Sequence, residues 1–170
     1  PSSIFYGPAG TGKTTLARLI ATVTRSHFED FSAISGNVAD VRRIVEAARL
    51  RNRTGKRTLL FVDEIHRFNR AQQDAFLPCV EEGVLTLLGA TTENPLASLN
   101  TPLLSRCRLF AFEPLTDADI LELLQQAIAS PRGLKELGLT FETEALKHIA
   151  EFAEGDARTA LGALEMAADL

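Results

Sequence analysis

Gly7-Pro8-Ala9-Gly10-Thr11-Gly12-Lys13-Thr14 lies between a short apolar run, Ile4-Phe5-Tyr6, and a segment with Leu16, Leu19, Ile20 and Val23 at helical spacing. The octet satisfies G-x-x-x-x-G-K-[ST], and a strand before it and a helix after it are the context that gives this pattern meaning. Its glycines let the backbone wrap an anion with the N–H groups pointing inward. The following helix turns its positive N-terminal end toward the same anion. Gly7, Pro8, Ala9, Gly10, Thr11, Gly12, Lys13 and Thr14 are therefore read as a phosphate cradle. Lys13 would reach the β- and γ-phosphates of a nucleotide, and Thr14 would hold Mg²⁺.

Fifty residues after Lys13 a second element supports this reading. Leu59-Leu60-Phe61-Val62 is apolar throughout, as a strand buried on both faces of a parallel sheet must be, and it ends in Asp63-Glu64. Ligands of open α/β sheets bind at the C-terminal edge of the strands. Asp63 is thus assigned to Mg²⁺, and Glu64 to orienting and deprotonating an attacking water. Gly89-Ala90-Thr91-Thr92-Glu93-Asn94-Pro95 ends another strand, where a hydroxyl could touch the γ-phosphate or that water.

Working outward, Phe28–Ile34, Leu85–Ala90 and Arg108–Phe112 complete the strands, with helices between them. Val41, Ile44, Val45 and Ala48 mark one helix, with Asn37 at its cap. Residues 70–82 predict another, which Pro78 should kink or break. Alternation of this kind gives a parallel sheet covered by helices. After Pro114 only helical spacing remains: Ile120, Leu123, Leu124 and Ile128, then Leu146, Ile149, Phe152 and Ala153, then Leu161, Leu164 and Ala168, the last helix capped by Asp156. The expected organisation is an α/β core over residues 1–114 and a small helical subdomain over 115–170.

Length and composition bound the rest. A chain of 170 residues is one domain, or one with a small satellite. It is 45% hydrophobic and 24% charged, which excludes a disordered chain. No apolar run approaches the roughly 18 residues of a membrane span, no basic leader precedes Ile4, and two cysteines make no disulfide framework. A cytoplasmic protein with no membrane partner is the expectation. The net charge is −4, unevenly spread: residues 1–114 carry 14 Lys and Arg against 11 Asp and Glu, and residues 115–170 carry 4 against 11. Arg42, Arg43, Arg49, Arg51, Arg53, Lys56 and Arg57 form the densest basic stretch. It reads as a solvated helix face, with DNA phosphates or a neighbouring subunit as the functional alternative.

Taken together, these motifs resemble an AAA+ ATPase module of the clamp-loader branch. Within that branch the chain is most similar to the replication-associated recombination protein A family, bacterial relatives of the Werner-helicase-interacting ATPase. The resemblance rests on Phe61 through Asn69, Gln72 through Pro78, Gly89 through Pro95, Leu103-Leu104-Ser105-Arg106 and Gly155-Asp156-Ala157-Arg158. Holliday-junction branch-migration motors share fewer of these runs. The resemblance implies a P-loop NTPase fold, a five-stranded parallel sheet followed by an all-α lid, with ATP and Mg²⁺ as ligands. It implies that Thr92 is the sensor-1 residue, that Arg106 is an arginine finger donated to the neighbouring subunit, and that Arg158 is the sensor-2 arginine of the lid. His66 is read as a packing or supporting residue, and Ser32 as a relay to Glu64. It further implies a homo-oligomer acting on DNA at stalled or damaged forks, at the nucleoid, with replication or single-strand-binding proteins as candidate partners. The alternative is a clamp-loader-like or branch-migration-like subunit that binds ATP mainly as a conformational switch. Relative to that family the chain lacks a segment enclosing the adenine and the C-terminal oligomerisation region, so weak activity in isolation is expected.

Overall fold

The computed structural model describes residues 1–169; Leu170, the last residue of the expected helical subdomain, lies outside the described residues. The chain groups into two units. The first comprises residues 1–7 and 13–112, and the second Pro8–Gly12 with Glu113 onward.

The first unit is built on a parallel sheet of β1 (Ser3–Tyr6), β2 (His27–Ser32), β3 (Thr58–Asp63), β4 (Thr86–Thr91) and β5 (Arg108–Ala111). Their order is β2-β3-β4-β1-β5. The register pairs Tyr6 with both Thr91 and Ala111, and Ser32 with Asp63. The strand ends that follow the apolar runs therefore align along one edge, which puts Gly7 at the start of the glycine-rich octet, Asp63 and Thr91 there together.

Side-chain alternation explains the uninterrupted apolar strands. Leu60 and Val62 of β3 join Ile4 and Leu87 in one core. Leu59 and Phe61 join Phe5, Leu88 and Ala90 in the other. Helix α1 (Lys13–Val23) covers the second core with Ala17 and Ala21, and α2 (Val38–Arg53) covers the first with Val41, Ile44 and Ala48. Asn37 starts α2 through a capping box with Asp40. Phe61 is fully buried and stacks on Phe28 with ring centroids 6.1 Å apart.

The helix expected over 70–82 is two short helices, α3 (Arg70–Asp74) and α4 (Leu77–Glu81). Pro78 explains the break. It cannot donate the bond that would run to Asp74, and its ring would meet that carbonyl. The first helix accordingly ends at Asp74, and Pro78 sits in the first turn of the second, where the missing N–H costs nothing. Two further short helices, α5 (Pro95–Ser98) and α6 (Thr101–Leu104), lead from β4 to β5. Their caps are Asn94 and Asn100.

The second unit consists mainly of α7 (Asp117–Ala129), α8 (Thr143–Phe152) and α9 (Ala157–Ala168). Ile120, Leu124, Leu146, Ala150, Ala153, Ala160 and Leu164 form its own core. Thr116 and Asp119 make a capping box for α7. The bonds from Thr116 hold the Asp119 carboxyl below the usual carboxylate range. Asp156 caps α9 by accepting the N–H groups of Arg158 at 2.8 Å and Thr159 at 3.2 Å. Asp156→Ala should therefore cost about 1 kcal/mol, read as a lower denaturation midpoint at unchanged slope; an unchanged midpoint would count against the cap. Among the described residues no helix is long and apolar enough to cross a membrane.

Candidate functional site

The octet begins where β1 ends. Gly7 donates its N–H to the Thr91 carbonyl at 3.1 Å, tying the loop entry to the end of β4. Lys13 opens α1, half-buried, and its Nζ donates to the Gly7 carbonyl at 2.8 Å. Thr14 follows in the first turn of the same helix, also half-buried. Helix α1 has no acidic residue in its first turn, so nothing there neutralises its positive end.

Pro8–Gly12 groups with the helical unit, which sequence reading did not foresee. The Thr11 hydroxyl donates to the Pro8 carbonyl at 2.9 Å. The Gly10 carbonyl accepts the Ala157 N–H at 3.0 Å. Gly10 has φ +67, and a Cβ there would overlap the Asp156 carboxylate. Glycine is therefore demanded twice at this position, by its backbone angle and by the approach of the α9 cap.

On the sheet, Asp63 ends β3, half-buried, and its Oδ1 accepts the Glu64 N–H at 3.1 Å. Glu64 has φ +54 and ψ +41, a left-handed conformation in a non-glycine residue. That costs about 1–2 kcal/mol. It turns the chain off the strand into a single 3₁₀ turn, Ile65–Arg67, whose Ile65 is fully buried. The turn brings His66 beside Glu64. His66 Nε2 lies 3.2 Å from Glu64 Oε2 and 3.6 Å from Glu93 Oε1, and His66 Nδ1 lies 2.8 Å from Thr91 Oγ1.

The other residues singled out by sequence fall as follows. Thr92 is exposed just past β4, whereas its neighbour Thr91 is buried and bonded to His66. Ser32 accepts the Ile34 N–H at 3.3 Å, a bond within its own turn. Arg106 is exposed after α6. Its Nε donates to Glu81 Oε1 at 2.5 Å, and its Nη1 to the Pro102 carbonyl at 2.8 Å and Ser105 Oγ at 3.0 Å. Arg158 is exposed in the first turn of α9. Three couplings escaped sequence reading: His66 with Thr91 and Glu64, Arg106 with Glu81, and Gly10 with the cap of α9. Only the first had a signal, a histidine two residues beyond the strand-end glutamate.

Cysteine chemistry has no place here. Burial raises both Cys79 and Cys107 to about 11, leaving neither a thiolate at neutral pH.

Comparison with known proteins places this geometry. Replication-associated recombination protein A of Haemophilus influenzae is 46% identical over 170 residues, 99% of this chain and 38% of that protein. The Escherichia coli K12 protein of the same name is 48% identical, with the same coverage. The ATPase WRNIP1 of Dictyostelium discoideum is 44% identical over 98% of this chain and 19% of its own length. The chain thus spans about two-fifths or less of these curated relatives. Among solved structures, the RuvB Holliday junction branch migration motor of Thermotoga maritima superposes with a TM-score of 0.78 at 27% identity, covering 96% of this chain and 53% of that one. Residues 3–115 match the ATPase family associated with various cellular activities, and with its glycine-rich octet, its Asp63-Glu64 strand end and its five-stranded parallel sheet this chain belongs to that AAA family.

Proposed function

We propose that this domain hydrolyses ATP with Mg²⁺, as part of a homo-oligomeric protein that acts on DNA in replication, recombination and repair. One observation carries the reading: Gly7 and Lys13, the first and seventh residues of the octet, and the Asp-Glu pair ending β3 belong to one parallel sheet unit, with Gly7 bonded to the end of β4. Similarity to replication-associated recombination proteins and to a branch migration motor supports the DNA context. Work in the cytoplasm, at the nucleoid, follows from that context.

In this reading the loop N–H groups and the N-terminus of α1 bind the triphosphate, and the Lys13 ammonium neutralises its outer charges. The Thr14 hydroxyl and the Asp63 carboxylate would hold Mg²⁺. Both offer hard oxygen donors, as the ion requires. Among the described residues no group of three or more His, Cys, Asp or Glu converges on a metal. That fits an ion held by one or two protein oxygens, with phosphate and water completing its shell. Bound there, Mg²⁺ supplies charge neutralisation at the phosphates. Glu64 orients the attacking water and takes its proton, and the Thr92 hydroxyl senses the γ-phosphate or that water. Arg158 serves its own subunit's nucleotide from the helical lid, and Arg106 serves the neighbour's. A planar guanidinium suits both tasks because it donates paired, charge-assisted bonds.

Glu64→Gln tests the chemistry. The amide keeps the shape and loses the base, while Asp63 is untouched. In the full-length protein ATP binding should persist and turnover should fall by about 10²-fold or more. A parent protein turning over no faster than the variant would make the domain a nucleotide-driven conformational switch. Loss of binding together with turnover would make Glu64 structural.

A further inference from the structure

The geometry points to His66 as the positioning residue that holds the Glu64 carboxylate in its working orientation, with Thr91 fixing which imidazole nitrogen carries the hydrogen. This rests on the reading of Glu64 as general base.

The His66 side chain is 6% exposed, its Nδ1 is hydrogen-bonded to Thr91 Oγ1, and its Nε2 lies 3.2 Å from Glu64 Oε2. A buried imidazole so placed is defined by its tautomer, and the tautomer by its neighbours. Thr91 Oγ1 accepts the Glu93 backbone N–H at 3.0 Å. The hydroxyl has one hydrogen of its own, and His66 Nδ1 lies 2.8 Å from Thr91 Oγ1. We assign that hydrogen to the bond with Nδ1. On that assignment the ring hydrogen sits on Nε2, 3.2 Å from Glu64 Oε2. Glu93 Oε1, at 3.6 Å from the same nitrogen, stands beyond hydrogen-bond range.

The consequence is chemical. Nε2 stands 3.2 Å from one carboxylate oxygen of Glu64 and draws it by charge, while the other oxygen keeps its lone pairs for the proton of the attacking water. The left-handed backbone at Glu64 belongs to the same device, because it turns the chain so that residue 66 comes back against residue 64. Conformational strain of this kind collects at sites where orientation matters. The same ring stands between Thr91 at the end of β4, to which it is bonded, and Glu64 just past the end of β3. Thr91 precedes Thr92, so whatever moves the second threonine on γ-phosphate contact is one residue from the group that sets the base.

The test compares two amides in the full-length protein. The glutamine amide nitrogen reaches roughly where Nε2 stands, and the asparagine amide only as far as Nδ1. His66→Ala should lower kcat by about 10–10²-fold with KM within about twofold, since a catalytic group misplaced by about 1 Å can cost about 10²-fold. His66→Gln should recover to within about fivefold of the parent, and His66→Asn should stay near the alanine value. The ratio of the two amide variants decides the matter even if the alanine variant does not fold, because both carry a polar group into the same packed site. Equal kcat in His66→Gln and His66→Asn, or a loss that appears in KM and not in kcat, overturns the proposal. Glu64→Gln, measured alongside, keeps the two readings apart. If it turns over at the parent rate, the general-base assignment fails; if it is inactive while both amide variants match the parent, only the role of His66 fails.

Discussion

Arg106→Ala is expected to bind ATP like the parent and to lose turnover by about 10³–10⁵-fold, or roughly 4–7 kcal/mol in the barrier. The separation of binding from turnover follows from where the residue stands. Arg106 follows α6 and is exposed, and its described bonds run to Glu81, Pro102 and Ser105, not to Lys13, Asp63 or Glu64. A cation held at the surface by an exposed carboxylate is stabilised by about 0–1 kcal/mol at most. In the proposed oligomer it would exchange Glu81 for a stronger anion presented by a neighbouring subunit. Mixing gives the sharper measurement. In an oligomer assembled from Arg106→Ala and Glu64→Gln chains, some interfaces pair an intact base with an intact arginine, so activity should return that neither variant shows alone. No recovery, with co-assembly and subunit exchange demonstrated, would mean that Arg106 acts in its own subunit or serves only the fold.

The sequence-based reading reached the sheet and the loop because both are encoded locally. The glycines and Lys13 are contiguous, and a strand buried on two faces must be apolar at every position, as Thr58–Asp63 nearly is. Single caps were legible for the same reason: Asn37 and Asp156 act on backbone groups two or three residues away. Strand ends were displaced by one or two residues, since nothing local marks where pairing stops. The break at Pro78 was legible as a kink, but its outcome as two separate helices depended on the 74–78 clash. What stayed hidden were contacts between positions distant in sequence. Thr91 and His66 are 25 residues apart, and so are Arg106 and Glu81. No spacing rule links such pairs, because the parallel register and the left-handed turn at Glu64 bring the first together only after folding.

The ammonium of Lys13 is where the largest combined loss of binding and chemistry is expected. It leaves the first turn of α1 and is fixed to the loop by its bond to the Gly7 carbonyl at 2.8 Å. Gly7 is itself bonded to the end of β4. The ammonium is therefore tied, through Gly7, to the end of β4 that carries Thr91. A charge-assisted hydrogen bond contributes about 1.5–3 kcal/mol, so Lys13→Ala should raise the ATP dissociation constant by about 10–150-fold. Turnover should fall further, by at least about 10²–10³-fold at saturating ATP, because negative charge grows on the transferring group and its stabilisation exceeds that of the ground state. Lys13→Arg separates charge from shape. The guanidinium keeps the positive charge but is a planar fork and not a compact ammonium, so it should recover most of the binding and little of the rate. Calorimetric titration with an ATP analogue and steady-state turnover, on variants whose melting points match the parent within a few degrees, would decide it. Parent-like affinity and parent-like turnover in Lys13→Ala would remove the phosphate loop from the mechanism, and the roles given to Thr14, Asp63 and Glu64 would go with it.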